Sequence, residues 1–409
     1  MKVRIILRQV VFLLLFLLAP FTLSAQKKEI SQAKQWLKAG NSLENAEQSM
    51  LKLLKDSSNW ENEKIWSLLF NAVKKQYEQG NEKLYLKQQY DTASLFTLNK
   101  KMFEILERFD SIEARPDKKG RVELKYRKKH ADFLVPFRSN LFSGGSYFVN
   151  KRNYPEAYVM FSTYLDCGIQ PLFTGIDFMK KDSLKIYEAA YWAVFCGYKM
   201  KKPKDVFRYM DLALRDTLHR PYALQYQAEA FLMQKDTVKW LSILEKGFRS
   251  YPRFVYFFPH LADYYSHHGQ MAKALDLSEK ALQVDPTNLI YQYAKANILL
   301  NMGSYKDCIS LCDHIISKNS SMADAYLTAG LAFFNQAVEL DKNIHLTANQ
   351  KSQIQTLYHR ALPYLDHYRK MAPNSKDKWS LPLYTIYLNL NMGKEFDEMN
   401  AIINNEQKK

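Results

Sequence analysis

Small and apolar residues recur through most of this chain at helical spacing. In "HLADYYSHHGQMAKALDLSEKALQVDPTN", residues 260–288, Ala274, Leu277, Ala281 and Leu282 lie three or four apart and so share one helix face. Extended back to Val255, the stretch becomes a 34-residue unit. Units starting at Tyr187, Pro221, Val255, Leu289 and Ala323 align without a gap, and residues 138–171 supply another. The eighth position then holds Gly145, Val194, Ala228, Ala262, Ala296 and Gly330. The twentieth holds Ala157, Val206, Trp240, Ala274 and Cys308, and the twenty-seventh holds Ala213, Gly247 and Ala281. Small side chains at fixed positions let paired helices approach closely. Gly269 and Gly303, both fifteenth, suit a tight turn between the pair. Pro252, Pro286 and Pro373 end second helices, because proline lacks the amide hydrogen. A helix–turn–helix period of 34 residues predicts a solenoid.

On these columns the chain resembles the tetratricopeptide repeat (TPR) family. Residues 255–288 carry the resemblance most fully, through Phe258, Leu261, Ala262, Tyr265, Gly269, Ala274, Ala281 and Pro286. It extends over about 187–322, continues into 138–171 and 323–375, and fades before residue 138. Trp240 in place of a small residue and Lys295 in place of a leucine depart from the pattern. The resemblance implies an all-α, TPR-type α-solenoid, a right-handed superhelix of antiparallel helix pairs. The whole layout also resembles exported TPR proteins of Gram-negative bacteria.

Residues 26–137 show helical apolar periodicity without the 34-residue columns, and are expected to be diverged repeats that cap the array. The array itself spans 138–406. Residues 172–186 lengthen one connection and are the expected site of a bend. In the unit starting at Ala323 the alanine column falls at Ala361 instead of position 342, a stretch of 19 residues. Shared evenly, it lengthens two helices by roughly nine residues, or about 14 Å each. Pro363 is expected to kink the helix that follows. Residues 376–406 read as a last helix pair, with Gly393 at its turn.

The first 25 residues differ. Lys2, Arg4 and Arg8 precede the apolar run Val10–Ala19, and Leu23-Ser24-Ala25 ends in a small residue. That is the layout of a cleaved secretory signal peptide, cut after Ala25. Ten apolar residues before Pro20 are too few for a span of about 20. With no cysteine near the cut to carry lipid, the mature chain is expected to be periplasmic, cell-surface or secreted, without a stable membrane span. Loss of the leader lowers the formal net charge from +16 to +13. An exported basic protein is steered by acidic envelope surfaces instead of nucleic acid. The tract Lys125–His130 reads as a solvated face. Four cysteines leave a Cys167–Cys196 disulfide open. Cys308 and Cys312, one helical turn apart, read as buried packing residues.

No phosphate loop, nucleophile elbow, zinc-protease motif or calcium loop occurs. Gly144-Gly145 falls in the packing column, and His267-His268 precedes a turn. No enzyme, cofactor or metal site is expected. What remains is a surface. In TPR arrays the first helices line a concave groove, and the resemblance carries its positions onto Tyr191 and Tyr198, then Tyr222, Gln225 and Glu229. Next come Tyr256, Asp263 and His267, then Tyr293, Asn297 and Asn301, and finally Asn335. Tyrosine offers contact area with a polar tip, and asparagine pairs with both groups of an extended backbone. Tyr293 and Asn297 stand where carboxylate-clamp TPR domains use a Lys–Asn pair, which argues against a terminal-carboxylate clamp. The expected partner is an unidentified protein or peptide held by a non-enzymatic scaffold. The alternative is a glycan-binding envelope module, prompted by the aromatic content and by resemblance to outer-membrane starch-utilisation lipoproteins. Those carry a lipid-attachment cysteine that this chain lacks.

Overall fold

A computed structural model describes residues 26–117, 119–342 and 345–406. The expected signal peptide, residues 1–25, lies outside the described residues. Among the described residues the fold is all-α. The chain divides after Asp236 into two compact units, each with its own buried core. The division falls inside the 34-residue repeat that starts at Pro221.

The first unit begins with a helix over residues 26–39 (α1), followed by α2 (Leu43–Leu54), α3 (Glu63–Tyr85), α4 (Thr92–Glu113) and α5 (Arg127–Leu134). Then come α6 (Arg138–Asn150), α7 (Tyr154–Asp166), α8 (Phe178–Lys199), α9 (Pro203–Arg208), α10 (Met210–Ala213) and α11 (Arg220–Met233). The second unit holds α12 (Thr237–Ser250), α13 (Phe257–His267), α14 (Met271–Val284), α15 (Leu289–Asn301) and α16 (Tyr305–Lys318). It ends with α17 (Ala323–Asp341), α18 (Ala348–Met371), α19 (Lys376–Asn389) and α20 (Gly393–Glu406). Within each unit, most helices that are neighbours in sequence pack on one another, while α6 packs on α4.

The small-residue columns sit at helix crossings. A Cβ on Gly145 would stand 2.6 Å from the Phe161 ring, and one on Gly330 would stand 2.7 Å from Leu365. Gly247 lies as tightly against Phe257, and Ala262, Ala274, Ala281 and Ala296 are buried. Trp240, the large residue in a small column, is also buried, edge-on to Tyr264 at 5.7 Å. Lys295, in a leucine column, turns its ammonium to Glu279 at 3.1 Å.

One backbone geometry repeats where the sequence does not. Gly269 and Gly303 have φ of 68° and 75°, the left-handed conformation that glycine adopts freely. The same fifteenth position holds Arg152, Lys201 and Lys235 in other repeats, with φ of 58°, 56° and 59°. Each turn closes with one further bond. The amide of the next residue donates to the carbonyl five residues back, as in Gln270 to Tyr265 (2.8 Å), Ser304 to Leu299 (2.9 Å) and Lys202 to Gly197 (3.0 Å). Lys87 and Asn391 make the same turn after α3 and α19. Part of the N-terminal region therefore shares the hairpin geometry without the sequence columns.

Two expectations change, for the stretched unit and for Pro363, and two open points gain detail. The connection at 172–186 is mostly structured, because α8 starts at Phe178 and changes course at Asp182 (φ −153°, ψ 43°). The 19-residue stretch is shared unevenly. Helix α17 has 19 residues against 13 in α15, α18 has 24 against 14 in α16, and the connection 342–347 replaces 302–304. Pro363 lies well inside α18, which runs through it as a single helix. All four cysteines are free and buried, so Cys167 and Cys196 form no disulfide.

Candidate functional site

In the first unit, α8 and α11 pack together and carry an aromatic ladder. Tyr191 is buried and lies flat on His219, ring centres 4.2 Å apart and planes 12° off parallel. Tyr226 stacks on Tyr198 at 4.6 Å and on Tyr191 at 6.2 Å. Phe195 meets Trp192 edge-on and tilts against Tyr226. His219 is held in turn, its Nδ1 lying 2.8 Å from Asp216 Oδ2. The other Asp216 oxygen accepts from the Leu218 and His219 amides at 3.0 and 3.2 Å. Burial pushes the Tyr191 and Tyr198 phenols up, and Tyr226 further, so all stay neutral. Glu229 adds to the rise at Tyr198. Tyr191 thus acts as packing between first helices. Tyr222, at 43% exposure, is the tyrosine of this group turned outward, while Gln225 and Glu229 are half-buried.

The second unit builds its first-helix face differently. Tyr293 and Asn297 on α15 meet Thr328 on α17. The buried Thr328 hydroxyl donates to Asn297 Oδ1 at 2.9 Å beside the Tyr293 phenol. Burial raises the Tyr293 phenol. Asn297 is therefore committed to a neighbouring helix. Asn301, one turn on, is exposed, and Asn335 is half-buried. Just before α13, Tyr256 tilts against His260 at 4.4 Å. His267 Nδ1 lies 3.1 Å from Asp263 Oδ1, with both side chains exposed.

The structure thus joins Tyr191, Tyr198, Tyr222 and Glu229 around the first ladder, and Tyr293 with Asn297 around the second contact. Asp263 and His267 form a separate exposed pair. Sequence reasoning missed Tyr226 and Thr328, although both are sixth in their repeats and both reach back to the preceding first helix. It also missed a recurrent use of tyrosine here. Tyr164 donates to Asp182, Tyr209 to Asp166, Tyr265 to Glu245, Tyr305 to Glu339, Tyr364 to Asp313 and Tyr387 to Asp366, all at 2.6–2.9 Å. Each bond ties a tyrosine to an acid elsewhere in the same unit. The aromatic abundance that suggested a binding face largely holds helices together.

Among the described residues, no group of three or more His, Cys, Asp or Glu side chains is placed to hold a metal. No helix there is long and apolar enough to cross a membrane.

No protein-family model matches this chain, and no curated protein matches it. Solved structures of TPR proteins are similar to it. The C-terminal part of a TPR repeat-containing protein from Cytophaga hutchinsonii is 12% identical, covering 63% of this chain and 92% of its own, with a TM-score of 0.44. YrrB, described as a TPR protein with an unusual peptide-binding site, is 16% identical over 48% of this chain and 89% of its own, with a TM-score of 0.34. A TPR-repeat protein from Bacteroides fragilis is 18% identical over 65% and 98%, with a TM-score of 0.27. The TPR-type fold rests on this chain's own geometry, namely helix hairpins at a 34-residue period, small residues at the crossings and one recurrent left-handed turn.

Proposed function

We propose that the chain is a non-enzymatic, exported scaffold that binds a protein or peptide partner on its first-helix faces. The observation that carries this reading is the contrast between ladder and rim on α8 and α11. A buried aromatic stack fixes the helices, and exposed Tyr222 stands beside it. Contact area on a rigid support costs little ordering entropy when a partner docks. Asn301 and the Asp263–His267 pair are the corresponding exposed groups of the second unit.

Export rests on residues 1–25, and the cysteines fit it. Burial pushes the Cys196 thiol up to about 12 and the Cys167 thiol higher, while a hydrogen bond with Cys308 and then burial raise the Cys312 thiol. Inert protonated thiols survive unpaired in an oxidising compartment.

Site-specific photocrosslinking in intact cells tests the partner reading, with probes at Tyr222 and Asn301 and a control at exposed Lys280. A discrete protein adduct from Tyr222 or Asn301 and none from Lys280 supports it. Adducts from Lys280 alone, or glycan-array binding lost on Tyr222→Ala, contradict it. N-terminal sequencing of the mature chain tests export. A start at Gln26 in the envelope fraction is expected, and an intact leader in the cytoplasm overturns that part.

A further inference from the structure

The N-terminal region holds a cleft that the repeat positions do not include. It lies wholly in the first unit, between α2, α3 and α4, and measures about 980 Å³. Its floor is apolar, formed by Leu54, Trp60, Trp66, Leu69 and Ile112. Both indoles are pinned from behind. Trp60 Nε1 donates to the Leu54 carbonyl and Trp66 Nε1 to the Trp60 carbonyl, each at 2.8 Å. The floor is therefore built before any ligand arrives.

The rim is positive. Arg108 and Arg115 hold their guanidiniums over the Trp60 ring at 5.4 and 5.5 Å, and Lys55 stands at the same edge. Among the described residues, none of these three cations has a carboxylate partner. The two acids of the lining do not cancel them. Glu104 is already paired with Lys100 at 3.7 Å. Glu107 is pushed up to about 8 by burial and by its neighbours Asp166 and Glu104, so it is mostly an uncharged acid near neutrality. Across Trp60 the adjoining hollow, which Arg115 also lines, sets Glu61, Glu63, Glu113, Asp117 and Glu123 against Arg115, Arg121 and Lys125, so the balance turns acidic there. An aromatic floor beneath two unpaired guanidiniums fits an apolar side chain flanked by carboxylates.

We propose that this cleft is a second binding site, for an acidic peptide segment of a partner protein that inserts an apolar side chain between α2, α3 and α4. The site is separate from the first-helix faces and stands whether or not they bind a partner.

The probe is a fluorescein-labelled hexapeptide, Asp-Glu-Leu-Phe-Glu-Asp, with its amide analogue Asn-Gln-Leu-Phe-Gln-Asn as control, titrated by anisotropy into the full-length mature chain. The acidic peptide should bind at least tenfold tighter than the amide analogue. Arg108→Glu/Arg115→Glu should weaken it at least tenfold. Lys128→Glu/Lys129→Glu makes the same change in net charge on the exposed basic tract and should leave binding within about twofold. Both arginines are exposed, so unchanged urea melting is expected in that variant and shows that it is folded. Leu54→Asp serves as a second variant and should also weaken binding. Three results each overturn the proposal: equal binding of the two peptides, equal loss in both charge reversals, or binding of anionic vesicles with none of the peptide.

Discussion

The first-helix contacts of the two units make an instructive pair. Between α8 and α11 the contact is aromatic, with Tyr191, Tyr198, Tyr226 and His219 stacked face to face. Between α15 and α17 it is polar, with the Thr328 hydroxyl and Asn297 joined under the Tyr293 phenol. Both contacts use the sixth position of one repeat against the preceding first helix. The same architectural job is thus done once by ring area and once by a hydrogen-bonded cluster. A ring stack is held by apolar area buried on several large side chains, whereas the polar cluster is held by a hydrogen bond of modest net worth.

The sharpest break in that comparison is Tyr226→Ala, which removes the middle rung of the stack. A cost of about 3–5 kcal/mol is expected in urea unfolding, in the range of large aromatic truncations. Next comes Ala274→Trp, which overfills a fully buried crossing at a cost of roughly 1–3 kcal/mol. Wild-type melting of that variant would mean the repeat register is wrong.

A pH effect of similar size is expected at Glu107. Its folded pKa is raised from 4.5 to about 8, so the folded state holds the proton more tightly than the unfolded state does. That contribution is complete below about 4.5 and is lost as pH rises toward 8. Urea melts at pH 5 and pH 8.5 should show wild type losing roughly 1–3 kcal/mol that Glu107→Gln retains.

On the polar side, Thr328→Val strands the Asn297 oxygen and should cost about 1 kcal/mol, well below the aromatic case. Smallest is Lys201→Gly. It relieves a left-handed lysine worth about 1–2 kcal/mol but adds backbone freedom to the unfolded chain, for a net gain of about 0.5 kcal/mol in thermal or urea melting.

The fold was legible where physics demands a residue type. Crossings such as Gly145, Gly330 and Ala274 accept only small side chains, so the 34-residue period is visible in the sequence. Turns are more permissive. A left-handed lysine or arginine costs little beside a packed hairpin, so Arg152, Lys201 and Lys235 hide the geometry that Gly269 and Gly303 reveal. The uneven growth of α17 and α18 was also hidden, since any polar stretch can lengthen either helix. At the candidate site, first-helix position did not separate exposed Tyr222 from buried Tyr191. That distinction depends on which rings the next helix covers, a tertiary fact with no local signature. The cleft beside Trp60 was invisible for the same reason, because Trp60 and the Arg108–Arg115 pair at the end of α4 come from separate segments joined only by packing.

The account's central claim is that the tyrosines divide into many that fasten helices and few that are displayed. Limited nitration of the folded chain, mapped by mass spectrometry, tests this directly, because the reaction needs an accessible phenolate. Tyr85 and Tyr222, at 85% and 43% exposure, should be modified early, while Tyr191, Tyr226 and Tyr358 stay protected until the chain unfolds. Modification of Tyr191 or Tyr226 in the folded protein ahead of Tyr222 would contradict the ladder and the face built on it.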